Sequence, residues 1–402
     1  MLSVDEALAR VLQAVRVKGR ETIHLVRAHG RVLAEDLVAR RSQPPLAVSA
    51  MDGYAVRAAD ADRPGAVLRL VGEVPAGRTF HRQLQAGEAV RIFTGAPLPA
   101  GADAILIQEH ARAEGDRVVV EKPVARGRFV RPEGLDFVAG WVGLRAGSRL
   151  DGRLLGLAAA MGHAWLRVRQ RPRVALLSTG DELVLPGELP SGSRIIASNA
   201  VSLAAFVEAW GGEVIDLGIA RDDPADLAHH LTDARGIDFL VTTGGASVGS
   251  YDLVQQTARS LGLQLEFWKI AMRPGKPMLF GRLGETIFLG LPGNPVSSAI
   301  CAIVFLRAAL RAAQGLAPEL PLKEARLAAD LAANDERQDF LRAQFLAAEG
   351  GERWVRPATL QDSSMLATFA HADALIVRPA FDPPRRAGEQ VRIVELQEVL
   401  AA

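Results

Sequence analysis

Phe239-Leu-Val-Thr-Thr-Gly-Gly-Ala-Ser-Val-Gly-Ser-Tyr-Asp252 reads as a buried strand that runs into a glycine-rich turn and then into a helix. Phe239 to Thr242 has the apolar, β-branched character of a strand covered on both faces. The three glycines let backbone N–H groups point inward and cradle an anion, with Ser247 and the N-terminus of the helix from Asp252 to Ser260 adding donors. The same unit recurs on either side. Upstream, strand Val174 to Leu177 enters the loop Ser178-Thr-Gly-Asp-Glu-Leu183, followed by a helix at Ala200 to Trp210, a strand at Val214 to Ile219 and a helix at Pro224 to Ala234. Downstream, strand Ile287 to Leu289 enters Pro292-Gly-Asn-Pro295, and a long helix runs from Val296 to about Ala313 with Gly315 as its stop. Such alternation predicts a doubly wound parallel sheet with ligands at the carboxyl ends of its strands.

Outside this segment the pattern changes. Ser3 and Glu6 have capping-box spacing ahead of Val4, Leu8, Val11, Leu12 and Val15, which predicts an amphipathic helix packed on another domain. Pro44-Pro45 leads into short apolar runs broken by glycine and proline, with strands at Val67 to Val74, Val90 to Phe93, Ala104 to Gln108 and Val118 to Val120. A mixed pattern returns from Arg126 to Gln170, with a helix at Leu154 to Met161, and short strands from Pro318 onward suit a small β-barrel. The expected organisation is a discontinuous mixed domain (1–45 plus 126–170), an inserted β-rich domain (46–125), an α/β domain (171–317) and a C-terminal β-barrel domain (318–402). The fold class is therefore multidomain α/β and β.

Composition bounds the function. A chain of 402 residues with 49% hydrophobic and 23% charged side chains is a globular protein of several domains. A formal net charge of +1, with no basic block, argues against a nucleic-acid partner. The single cysteine, Cys301, lies in an apolar run, so no intramolecular disulfide is possible and a reducing compartment is expected. The opening Met-Leu-Ser-Val-Asp-Glu lacks the basic and apolar regions of a signal peptide, and Arg307 is expected to stop the longest apolar run short of a membrane span. These features predict a cytoplasmic protein without a membrane partner.

Three loops at strand ends carry candidate chemistry. In the glycine-rich turn, Gly244, Gly245 and Ser247 suit a phosphate, and Asp252 could hold Mg²⁺ or cap its helix. In the second, two acids follow two hydroxyls, and one of Asp181 and Glu182 is expected to face the site; the alternative is solvated loop charge. The third, Met272-Arg-Pro-Gly-Lys-Pro277, holds two cations close together between stiff prolines and would fit an oxyanion. Only five of the 47 basic side chains are lysines, so Lys276 beside a rigid turn suggests a requirement for a compact ammonium, against the alternative of chance. Ser49-Ala-Met-Asp52-Gly, Phe93-Thr94-Gly-Ala-Pro97 and Gly134-Leu-Asp136 read as turns or as site loops. The eight histidines are scattered, so zinc is not supported; oxygen ligands and Mg²⁺ fit better. The residues alone indicate a magnesium-assisted enzyme for a phosphorylated anion.

Taken in order, Pro45 to Ala55, Phe93 to Pro97, Ser178 to Leu183, Thr243 to Asp252, Met272 to Pro277, Leu291 to Ser297, Arg337 to Arg342 and Gln361 to Leu366 resemble the motifs of the molybdopterin molybdenumtransferases. The resemblance covers essentially the whole chain. It implies a four-domain homodimer whose active site lies between the α/β domain of one subunit and the β-rich domain of the other. The implied reaction inserts molybdenum from molybdate into adenylylated molybdopterin with Mg²⁺-dependent release of AMP. Carried over by motif, Asp52, Asp136, Glu182 and Asp252 would be catalytic, with Glu182 and Asp252 as metal ligands. Thr94, Gly244, Gly245, Ser247, Asn294 and Ser298 would bind substrate, and Arg273, Lys276, Arg342 and Ser363 would bind molybdate. Arg273 stands where many relatives have lysine, and Asp362 where many have glycine; a carboxylate there would repel the anion unless turned outward. A molybdopterin adenylyltransferase would share the α/β domain and is the alternative enzyme, or a possible partner together with recipient molybdoenzymes. A non-catalytic scaffold of the same fold is the alternative of another class.

Overall fold

Helix α1 (Val4–Ala14) starts where the sequence places it: the Ser3 hydroxyl accepts from the Glu6 N–H at 3.2 Å and Glu6 Oε2 accepts from the Ser3 N–H at 2.9 Å. This reciprocal cap satisfies two helix-end donors, and its loss costs about 1 kcal/mol. The computed structural model describes residues 1–234, 236–244, 250–347 and 352–400, with the backbone alone at 250–252. The chain divides into two compact units, one of Met1–Glu21, Gly30–Val32 and Arg169–Ala402, the other of Thr22–His29 and Leu33–Val168.

In the first unit, strands β1 (Arg173–Thr179), β2 (Glu213–Ala220), β3 (Phe239–Gly244), β4 (Leu263–Phe267), β5 (Leu279–Leu283) and β6 (Thr286–Leu291) form one sheet in the order β2-β1-β3-β6-β5-β4. The four strands β2, β1, β3 and β6 are parallel, while β5 and β4 add antiparallel neighbours at one edge. Those two edge strands were not expected from the alternation; β5 and β6 join through Gly284-Glu285, with Gly284 at φ 64°, a hairpin turn that ends the crossover pattern. Helices α2 (Ser198–Ala209) and α3 (Pro224–Asp233) connect β1 to β2 and β2 to β3, and α4 (Ser250–Ser260) leads from β3 to the edge strand β4. Because β1 leads to β2 on one side and β2 then leads past β1 to β3 on the other, the chain reverses direction between β1 and β3. A crevice opens at the carboxyl ends of such a pair.

Helix α5 spans Pro295–Ala313, with a π-helical stretch at Ala302–Leu306. The helix ends where the sequence places it, but Arg307 does not cut its apolar stretch short of membrane-spanning length as expected: the residue is 6% exposed and Nη1 donates to Glu319 O. Although α5 is long and apolar enough to cross a membrane, 89% of its apolar window is buried, packed with α1, Phe239, Val241 and Leu289 in one core. The opposite face of the sheet has its own core around Leu177, Leu227, Leu240 and Phe288. Strands β7 (Leu322–Leu327), β8 (Gln338–Leu346), β9 (Trp354–Pro357), β10 (Ala374–Arg378) and β11 (Gln390–Glu395) pair in the cycle β8-β9-β7-β11-β10-β8, a closed barrel. Met272–Arg273 adds in parallel to the start of β8.

The second unit has separate cores. One comes from Ala28 to Ala39 and Phe137 to Val168, including the helix Gly152–Ala160 capped by Asp151. Two more lie within Tyr54 to Val130, on the two faces of a six-stranded sheet built from Gly53–Val56, Val67–Val74, Glu88–Ile92, Ala104–Ile107, Ala111–Glu114 and Arg117–Val120.

Candidate functional site

The crevice between β1 and β3 is the mouth of a cavity of about 890 Å³ in the first unit. Its walls include Ser178, Gly180, Glu182, Thr243, Gly244 and Asn294. Gly244 is dictated by close approach: its φ is 113°, and a Cβ there would overlap the Thr179 carbonyl oxygen on the paired strand. Of the adjacent acids, Glu182 lines the cavity, whereas Asp181 Oδ1 accepts from the Asp222 N–H at 3.2 Å. The implied substrate residues Gly245 and Ser247, and the side chain of Asp252 at the start of α4, lie outside the described residues.

Asn294 joins the cavity to the C-terminal domain. Its Nδ2 donates to Ser363 Oγ at 2.7 Å, and the Val296 N–H donates to Ser363 O at 3.1 Å, so the Ser363 loop sits on the first turn of α5. On the other wall, Asn199 Nδ2 donates to Gly293 O at 2.7 Å and fixes the Pro292–Pro295 turn. Ser298, implied to grip substrate, is 1% exposed, its Oγ has no hydrogen-bond partner among the described residues, and it is not part of the cavity wall. One turn further into α5 than Asn294, it points into packing instead of the crevice.

The four residues implied for molybdate have different surroundings. Lys276 is exposed and has no ion pair among the described residues. Its loop is pinned beneath by Gly275, at φ 119°, where a Cβ would come within 2.5 Å of Cys301 Sγ. Burial pushes the Cys301 thiol far above its ordinary range, which removes it as a nucleophile. Arg273, by contrast, is engaged: Nη1 donates to Asp335 Oδ2 at 3.1 Å, and Nη2 donates to Asn334 Oδ1 at 2.9 Å and to Asp339 Oδ2. Arg337 beside Asp335 holds that carboxyl down at about 2, while burial raises the carboxyl of Asp339 against the pull of Arg273.

Arg342 is 1% exposed and supports the next loop by donating to Gln361 Oε1 at 3.2 Å and Asp362 O at 2.7 Å. Burial lowers its pKa, but a guanidinium starts so high that it stays charged. Asp362 Oδ1 accepts from the Ser364 N–H at 2.8 Å and Oγ at 2.6 Å, and these bonds hold its pKa down. The carboxylate is thus bound into its own turn, with Ser364 on the cavity wall.

In the second unit, Asp52 Oδ1 accepts from the Thr94 N–H at 2.7 Å and Thr94 Oγ1 at 2.8 Å; the two bonds depress its pKa, with Arg91 adding to the effect. Asp52 Oδ2 has no hydrogen-bond partner among the described residues. Asp136 is exposed, and its backbone N–H donates to Gln43 O at 2.9 Å. Asp52 follows the Ser49–Val130 pair, and Asp136 precedes Phe137, which bridges to Gln43.

Among the described residues no three His, Cys, Asp or Glu side chains form a metal cluster. Mg²⁺ needs no such cage, since it keeps waters and takes one or two carboxylates with substrate phosphates, and Glu182 on the cavity wall fits that donor set. Sequence reading missed Asn199, Asp222 and Ser364 in the walls. The signal for Asn199 was present, a polar residue just inside a helix that follows a strand; nothing local marks Asp222.

Comparison with known proteins agrees along the whole chain. Residues 2–162 match the MoeA N-terminal region (domain I and II), 175–312 the probable molybdopterin binding domain, and 324–396 the MoeA C-terminal region (domain IV). A molybdopterin molybdenumtransferase of Nostoc sp. is 34% identical, over 94% of this chain and 88% of its own. Molybdopterin molybdenumtransferase 2 of Mycobacterium tuberculosis is 39% identical, over 85% and 87%. A crystal structure of a molybdopterin biosynthesis protein of Pyrococcus horikosii superposes with a TM-score of 0.86 at 30% identity, covering 98% of this chain and 99% of that one. Motif order, mixed α/β domain, closed barrel and relatives of nearly full length lead to one assignment: the chain belongs to the molybdopterin molybdenumtransferase family.

Proposed function

We propose that the chain inserts molybdenum from molybdate into adenylylated molybdopterin and releases AMP. The observation that carries this reading is the cavity at the β1–β3 crevice, where Gly244, Asn294 and Glu182 meet the Ser363–Ser364 turn of the C-terminal domain. Gly244 and Asn294, with Gly245 and Ser247, would receive the phosphate and pterin. Glu182 and Asp252 would hold Mg²⁺, which when bound neutralises phosphate charge. Asp52, kept ionised by Thr94, can accept a proton from water through Oδ2 as the adenylate bond is cleaved; Asp136 is assigned the same task. Lys276 supplies the uncompensated charge for molybdate, Ser363 a hydroxyl, and Arg342 a buried charge behind the Ser363 loop.

The proposal extends to a cytoplasmic homodimer whose active site takes its acids from both chains, supplied by a molybdopterin adenylyltransferase and serving recipient molybdoenzymes. One assay tests the reaction. Purified protein is incubated with adenylylated molybdopterin, Mg²⁺ and molybdate, and AMP and retained molybdenum are measured. Stoichiometric AMP with retained metal is expected. AMP transfer from ATP to molybdopterin without metal retention would establish the adenylyltransferase instead, and neither product would favour a scaffold.

A further inference from the structure

We propose that Arg273 is a positioning residue for the molybdate site and not a ligand of the anion, locking the Lys276 loop to the barrel through Asp339 and Asp335. The inference rests on the reading of Lys276 as the molybdate cation.

Three observations support it. First, the loop enters the barrel as a strand: Met272 pairs with Gln338 and Arg273 with Asp339, and the Gln338 N–H donates to Ala271 O at 2.9 Å. Second, the Arg273 guanidinium faces two carboxylates and an amide oxygen, and Asp335 is shared with Arg337 through a bond of 2.5 Å. Arg273, Arg337, Asp335 and Asp339 therefore sum to zero charge, so the quartet adds no net positive charge to attract a molybdate dianion. Third, the Asp339 side chain is 2% exposed and its Oδ1 has no hydrogen-bond partner among the described residues. Turning Arg273 toward an anion would leave that carboxylate buried and uncompensated, which is strongly unfavourable.

Only Pro274 and Gly275 separate Arg273 from Lys276, and Gly275 is pressed on Cys301. With one end held by the barrel and the middle held by α5, the position of the ammonium follows from where Arg273 is fixed. The loop and Ser363 lean on the same helix: Cys301 is five residues beyond Val296, about 8 Å along the axis.

Neutralising the acid separates the two roles by sign. If Arg273 were a ligand restrained by Asp339, Asp339→Asn would release its charge and lower the molybdate concentration needed for half-maximal insertion. Positioning predicts a rise of roughly tenfold in both Asp339→Asn and Arg273→Gln, the loss expected when a charge-assisted contact is displaced. Half-saturation by adenylylated molybdopterin should stay unchanged, which general destabilisation would not produce. The double variant should be no worse than either single one, because both break one coupled unit. Arg273→Lys, which keeps a cation for both carboxylates, should restore most of the loss. Should thermal melting show that Asp339→Asn does not fold, the more exposed Asp335→Asn decides, with a smaller rise expected. A fall or no change in the acid variants, or additive effects in the double variant, overturns the proposal. Lys276→Ala measured alongside distinguishes the failures. No change there sinks the molybdate reading itself; a rise there with a fall in Asp339→Asn sinks only the role given to Arg273.

Discussion

Lys276 and Arg273 lie three residues apart, yet their environments differ in kind. Lys276 is exposed without an ion pair among the described residues, whereas Arg273 is held by Asp335 and Asp339. Sequence treated them as a pair of cations around an oxyanion, because it does not show which cation is already compensated. We expect Lys276→Ala to raise the molybdate requirement about ten- to a hundredfold, the loss of one charge-assisted contact, while adenylylated molybdopterin still binds. Lys276→Arg should rescue only in part, since a planar fork needs different space from an ammonium. Titrating molybdate at fixed Mg²⁺ checks this; an unchanged curve for Lys276→Ala would return the loop to a structural role.

Among the elements, the strand Glu88–Ile92 carries an acid that the sequence did not single out. Glu88, with a side chain 6% exposed, accepts from Arg69 and Arg82 at 2.7 Å each and from the Gln85 N–H at 3.1 Å. Arg82 and the Gln85 amide are the chief causes that hold its pKa at about 2, below the ordinary 4.5. A carboxyl depressed on folding stabilises the native state above its unfolded pKa, and the contribution disappears as pH falls through the folded value. Glu88→Gln should therefore lower the melting temperature at pH 6, and its gap from the parent protein should close between about pH 4.5 and pH 2. Melting curves at stepped pH test this, and a gap that stays constant across the range would refute it.

At the scale of the whole molecule, the proposed two-chain site has a direct test. Asp52 and Asp252 belong to different compact units and are about 200 residues apart in sequence. If the active site is built from two chains, mixing inactive Asp52→Ala and Asp252→Ala subunits should restore activity, because one site of the heterodimer keeps both acids. Analytical ultracentrifugation should show a dimer. Absence of recovery in verified heterodimers would argue against the shared site.

Periodicity and turn chemistry alone determined the parallel strands β1, β2, β3 and β6, the cap of α1 and the loops at Ser178–Leu183 and Pro292–Pro295. These are local signals: a buried strand must be apolar, a helix must be capped, and a turn needs glycine or proline. The antiparallel strands β4 and β5 were less legible, since their pairing depends on one short glycine turn. Charge compensation was not legible at all. Whether Arg273 is free, whether Asp362 is turned into its own loop, and whether Asp181 or Glu182 faces the cavity depend on residues brought in by the fold, such as Asp339, Ser364 and Asp222. Sequence determines which charges a chain carries, but the electrostatic character of a site depends on which of them are neutralised by distant neighbours, and only tertiary structure decides that.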